Sequence, residues 1–202
     1  MSKPTHNSIL VGTLLFGILS GCGTSPSPRL YVIEPMTMTG NANTVAGLTI
    51  AIGPITLPEH LNRKEILTHD EPYRVSAAAF DRWAEPLDQG ITAALAENLS
   101  ILVPTDHVIT YPFDNALQVD YTVNVRVISF GAEPSGEVAL KSSWVIYDTA
   151  NAPATRSKAR YSEQRRGSEV VDTVAAMSRA IEQLSRDIAD AINKASTKSK
   201  QY

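Results

Sequence analysis

Few residues in this chain have types and spacings that could do chemistry. Cysteine occurs once in 202 residues, at Cys22, so no disulfide can close within the chain and no thiolate cluster can hold a metal. His60, His69 and His107 lie too far apart in sequence for the short spacings at which paired imidazoles bind zinc. The chain contains no P-loop, GxGxxG, GxSxG or HExxH pattern. Ser, His and Asp can form a triad from distant positions, but almost any chain of this size holds those residue types. The residues therefore point to a protein that is not an enzyme, with no cofactor and no metal. Two non-catalytic features remain. Arg156, Lys158 and Arg160 recur at period two, which puts all three on one face of a strand, with Arg165 and Arg166 just beyond. This stripe is either a solvated sheet face or a contact for anionic headgroups or an acidic partner. Trp83 stands just before a helix start, either as a buried anchor of that helix or as an exposed aromatic contact.

The surroundings of Cys22 give it a different role from a site thiol. Residues 1–21 carry Lys3, then the apolar run Ile9 to Leu19, then Ser20-Gly21, which is the order of a secretory signal peptide. A helix through that run rises about 16 Å, roughly half of a ~30 Å hydrocarbon core, so the run is too short to span. Leu19-Ser20-Gly21-Cys22 resembles a bacterial lipobox, which implies cleavage before Cys22 and lipidation of its sulfur and amine. One acyl chain anchors marginally and two or more hold firmly, at about 0.8 kcal/mol per buried CH₂. The alternative is an ordinary signal peptide with an incidental cysteine. Gly23 follows where an Asp would mark retention in the inner membrane, so the expected address is the outer membrane, facing the periplasm.

Net charge is −3 and hydrophobic residues make up 43% of the chain, a balance that argues against nucleic acid as a partner and suits one globular core. The expected organisation is a leader at 1–21, lipidated Cys22 with a short tether at 22–28, one domain at 29–195 and a polar, frayed tail at 196–202. The tether Gly23 to Pro28 reaches at most about 20 Å when fully extended, which keeps the domain near the membrane.

The elements that must position these residues follow from periodicity. Arg29 to Ile33 and Leu48 to Ile52 read as short strands, with a loop around Asn41 to Asn43 and extended pieces near Glu65 to His69 and Tyr73 to Ala78. Leu87, Ile91, Ala94, Leu95, Asn98, Leu99 and Leu102 form one helical face, opened by Pro86 in the first turn and ended by Pro104. Val108 to Tyr111 reads as a further short strand. Leu117 to Val127 alternates strictly, with a change of phase at Ile128 that predicts a bulge. Val138 to Tyr147 and Thr155 to Gln164 complete an antiparallel meander. Val170, Val174, Met177, Ile181, Leu184, Ile188 and Ile192 make a second helical stripe, suited to lying on a sheet or to a coiled-coil seam. The expected fold is α/β: a mixed, largely antiparallel sheet covered by two long amphipathic helices in a single domain.

Several stretches together resemble a known family. They are Tyr31-Val-Ile-Glu-Pro35, Ile52-Gly-Pro-Ile-Thr-Leu-Pro58, Arg82-Trp-Ala-Glu-Pro-Leu87, Leu95-Ala-Glu-Asn-Leu99, Tyr111-Pro112, Ala175-Ala-Met-Ser178 and Leu184-Ser-Arg-Asp-Ile-Ala189. In this order behind a lipobox, they resemble the PqiC-type lipoproteins of the ABC-type transport auxiliary lipoprotein component family. The segment from Met36 to Val45, and His60 with Asn62-Arg63, depart from the pattern. The resemblance implies a periplasm-facing outer-membrane lipoprotein of an MCE-type lipid transport system. Such a protein docks or anchors a periplasm-spanning MCE-domain assembly, singly or as a ring of copies, and has no catalytic residues. The competing expectation is a periplasmic carrier lipoprotein with its own apolar cavity; a hydrolase finds no motif to support it.

Overall fold

The strand with the strongest alternation is also the one on which the architecture is built. The structure is a computed structural model that describes residues 26–37, 47–71, 73–103, 105, 107–113 and 117–199. Cys22, Gly23 and the loop around Asn41 to Asn43 lie outside the described residues. Chain order is β1 (Arg29–Tyr31), β2 (Thr49–Thr56), a 3₁₀ turn (Glu59–Leu61), β3 (Glu65–Glu71), β4 (Arg74–Trp83), α1 (Leu87–Leu102), β5 (His107–Thr110), β6 (Tyr121–Ala132), β7 (Glu137–Tyr147), β8 (Pro153–Gln164) and α2 (Val170–Ser199).

All strands join one 8-stranded mixed sheet. Its longest ladders are the antiparallel β6–β7 and β7–β8 pairings of the meander. On its other edge β6 is shared. Its first half pairs in parallel with β2, whose far side carries β5, and its end at Ala132 meets Thr68 of β3, which leads on to β4 and β1. The sheet therefore branches at β6, with β8 and β1 at opposite margins.

Pairing of β6 begins at Tyr121 and not at Leu117 as the alternation predicts. Leu117 is exposed, and Asp120 instead braces the start of β2, accepting from Thr49 N at 2.7 Å through its carboxylate. The predicted bulge is present as a register shift between Val127 and Ser129, which leaves Ile128 exposed. Pro86 lies at the N-cap of α1, one position before the expected first turn, and its carbonyl accepts from Gln89 N and Gly90 N. α2 runs on to Ser199, so residues 196–199 of the expected tail are helical, with Thr197 Oγ1 donating to Asn193 O.

Both helices spend their apolar faces on the core. From α1, Leu87, Ile91, Leu95 and Leu99 are buried, and from α2, Val174, Met177, Ile181, Leu184, Ile188 and Ile192. They meet Val123, Val125, Leu140, Trp144 and Ile146 on the inner sheet face. Each large aliphatic buried this way contributes about 1.5–3 kcal/mol. α2 packs across β6, β7 and β8 and along α1, so its stripe is consumed by the domain and is not a free coiled-coil seam. Asn98, polar on an apolar face, is fully buried and satisfied. Its Oδ1 accepts from Met36 N at 2.7 Å and its Nδ2 donates to Ser185 Oγ at 2.9 Å.

Candidate functional site

The outer face of the meander is built by strand parity. Inward positions of β6 and β7 are apolar, so their neighbours point away from the helices. The register then sets Arg126 of β6 opposite Ser143 of β7, and Ser143 opposite Lys158 of β8. Neighbouring rows set Asn124, Val145 and Arg156 in line, and Ser129, Lys141 and Arg160. Arg156, Lys158 and Arg160 thus share one exposed face, as their spacing predicts. Arg126 and Lys141 join them from strands that sequence reasoning did not connect to the stripe. The signal was present, since Arg126 sits at a wet position of the alternating strand, but the cross-strand register is not written in either strand alone.

The cations differ in how they are held. Arg160 donates to Glu133 at 2.8 Å and lies 3.8 Å from Glu137. The Glu133 carboxylate raises its pKa above the ordinary guanidinium value, which fixes its charge but also occupies it. Lys141 lies 3.9 Å from Glu133. Arg126, Arg156 and Lys158 make no ion pair among the described residues. Arg165 leaves the stripe, donating to Gly136 O at 3.0 Å and to Thr173 Oγ1. The face can therefore bind an extended acidic surface by charge.

Trp83 is buried at 7% exposure, which corrects its reading as an exposed contact. Its backbone N–H donates to Lys64 O at 2.7 Å, and Ala84 N donates to Tyr31 O at 2.8 Å, so the residues before α1 are tied to β1 and to the start of β3. Beside it, Asp81 of β4 receives Arg29 Nε at 2.6 Å, Arg29 Nη2 at 2.8 Å and Tyr31 Oη at 2.9 Å. Arg29 holds this carboxyl below its usual range, against the opposing effect of burial. The clamp fixes the start of β1 to the end of β4.

Two hollows, one outside the core and one within it, bear on ligands. One, of about 790 Å³, opens between the C-terminal half of α2 and the start of β8, with Tyr121, Trp144, Ala191 and Ala195 alongside Asp187 and Lys194. Within the core, the void among Leu61, Ile66, Trp83, Leu87, Phe130 and Met177 is about 10 Å³, room for one water at most. Among the described residues no cluster of His, Cys, Asp and Glu could hold a metal ion. Among them, too, no helix is long and apolar enough to cross a membrane.

Comparison with known proteins places this geometry in context. The curated intermembrane transport lipoproteins PqiC of Escherichia coli (strain K12) and Shigella flexneri are each 25% identical over 130 residues, covering 63% of this chain and 68% of theirs. A solved structure of a Xanthomonas campestris protein superposes with a TM-score of 0.70 at 9% identity, over 86% of this chain and 100% of that one. Another, of an uncharacterised protein, gives 0.69 at 18% identity over 83% and 99%. These two share the fold. The family model for the ABC-type transport auxiliary lipoprotein component matches residues 31–189, from Tyr31 in β1 to Ala189 in α2. That span takes in Tyr31 and Asp81, the Asn98–Ser185 pair and the basic face, and by it the chain belongs to the ABC-type transport auxiliary lipoprotein component family.

Proposed function

We propose that this chain is the outer-membrane lipoprotein subunit of an MCE-type intermembrane lipid transport system, docking the periplasm-spanning MCE assembly without catalysis. Residues 1–21 are its leader, Cys22 its lipid anchor, Gly23 its sorting residue, 22–28 its tether and 29–195 its working domain. The observation that carries the docking role is the register-aligned cluster of Arg126, Arg156 and Lys158, without an ion pair among the described residues, on the face turned away from the helices. A basic sheet face of this kind steers and orients an acidic partner more than it adds raw affinity. Crosslinking in intact envelopes followed by detergent extraction tests the reading. The MCE-domain protein of the same system should co-purify with the wild-type chain and be depleted with the double variant Arg156→Glu/Lys158→Glu. Repeated failure of the wild type to capture it would sink the proposal. Cys22→Ser tests the anchor separately, with the expected result that the protein leaves the membrane fraction.

The carrier reading draws on the hollow of about 790 Å³ beside α2, which falls in the size range of ligand sites. Native mass spectrometry of the extracted protein distinguishes it: a bound lipid that survives delipidating washes supports a carrier, and a lipid-free domain supports docking.

A further inference from the structure

The tether enters the fold beside a surface that is both apolar and basic. β1 pairs in parallel with β4, setting Leu30 opposite Arg82, and Phe80 stands two residues before Arg82 on the same strand. Strand parity puts Leu30, Phe80 and Arg82 on one face, opposite to the side that carries the Arg29–Asp81 clamp. Leu30 is 63% exposed and Phe80 44%. Next to them a hollow of about 480 Å³ is lined by Pro28, Leu30, Arg63, Lys64, Arg82 and Trp83, among others. Arg63 is paired with Glu65 at 3.0 Å, and Glu85 also reaches the hollow. Lys64 and Arg82 make no ion pair among the described residues, and Arg82 Nε is buried with no hydrogen-bond partner. Pro28 is the last residue of the tether, so this is the face to which a short, lipid-bearing leash is tied.

We infer that this tether-root face docks on an anionic phospholipid surface, with Leu30 and Phe80 entering the headgroup region and Lys64, Arg82 and Arg63 meeting lipid phosphates. The inference rests on the reading of Cys22 as the anchor. Three facts converge on that occupant. The leash of about 20 Å keeps the face close to the headgroups, exposed aliphatic and aromatic side chains ringed by Lys and Arg match an interfacial region, and basic residues near an anionic leaflet each gain about 1 kcal/mol. Because β1 and β8 are opposite margins of the sheet, docking here leaves the Arg156–Lys158 face available to a partner.

The sole native cysteine carries the lipid in the processed protein, so one introduced cysteine can be labelled cleanly. The processed full chain, labelled with a fluorophore at Leu30→Cys, Phe80→Cys or, as a control on β8, Lys158→Cys, is reconstituted into phosphatidylethanolamine–phosphatidylglycerol vesicles that contain nitroxide-bearing phospholipid. The expected result is strong quenching at positions 30 and 80 and little at 158. Exchange to phosphatidylcholine vesicles should reduce it, and the docked-to-undocked ratio should fall about fivefold for each charge removed by Lys64→Gln or Arg82→Gln. Protein that floats with the vesicles yet is quenched no more at 30 and 80 than at 158 overturns this docking face and leaves the anchor standing. Quenching that is equal in phosphatidylcholine overturns the anionic part. Protein that does not float at all overturns the anchor and this inference with it.

Discussion

Asn98 on α1 donates to Ser185 on α2 across the helix interface at 2.9 Å, and Ser185 passes the chain on to Ile181 O at 2.7 Å. Because Asn98 also holds Met36 N, three segments distant in sequence share one buried amide. Asn98→Ala leaves the Met36 N–H without its acceptor and Ser185 Oγ with its bond to Ile181 O alone, and should cost about 1–3 kcal/mol. Urea denaturation of the two proteins checks this; a loss below about 0.5 kcal/mol, the range of a neutral surface change, would show the network to be dispensable.

Gly53 sits at φ +116°, and a Cβ there would lie 2.7 Å from Tyr111 Cβ, between β2 and the end of β5. Tyr111 N donates to Ile52 O at 2.8 Å in the same place, so the tyrosine cannot withdraw without losing a backbone bond. Gly53→Ala should therefore destabilise by about 2 kcal/mol or more through strain and overlap together. The midpoint of thermal unfolding, compared with the wild type, measures it.

The Asp81 carboxyl is held below its usual range by Arg29, so its folded-state pKa lies under that of the unfolded chain. Such a group adds stability above the unfolded value, near pH 4, and loses it as pH falls through the depressed folded value. Asp81→Asn should lower stability at neutral pH and flatten the acid limb of the stability–pH curve. Equal slopes in the two proteins on the acid side would rule out this pair as a contributor.

Tyr161 behaves in the opposite sense. Burial pushes its phenol well above the ordinary value, and the 2.8 Å bond to Asp187 acts in the same direction. A raised folded pKa favours folding below the unfolded value, near pH 10, and that stability is lost as pH climbs further. Ultraviolet titration should show a late tyrosine component that ionises with alkaline unfolding, and Tyr161→Phe should reduce it.

Arg156→Glu and Lys158→Glu change exposed positions with no intramolecular partner among the described residues. Stability should shift by no more than about 0.5 kcal/mol for each. Any loss of partner capture can then be assigned to the surface, and should deepen as salt is lowered, where unscreened repulsion is strongest.

Much of this was legible in the sequence because local pattern and burial agree. The stripes of α1 and α2 are the buried faces, and the phase change at Ile128 is the bulge. The motifs behind the family resemblance turn out to touch one another: Tyr31 and Ala84, Gly53 and Tyr111, Asn98 and Ser185. What pattern could not supply is pairing. Period two marks Arg126 as wet but does not say that Lys158 lies two strands away in the same row. Nor does it say that β2 lies parallel to β6, since a short buried run of Ile and Ala fits either direction. Leu117 misled because alternation continues past the point where hydrogen bonds stop. Trp83 was ambiguous because aromatic residues serve both cores and contacts.

The branching of the sheet at β6 has a bearing on how the chain matures. β2 and β3 carry Ile50, Ile52 and Ile66, all buried in the finished fold, yet the edge they share belongs to a strand that lies much later in the chain. The meander, whose contacts are local in sequence, can form without them, whereas the parallel partners need it as a template. Folding should thus run from the C-terminal half back toward the N-terminal strands. In that interval the N-terminal strands are sticky and unpaired, a stage at which a holding chaperone would have most to grip.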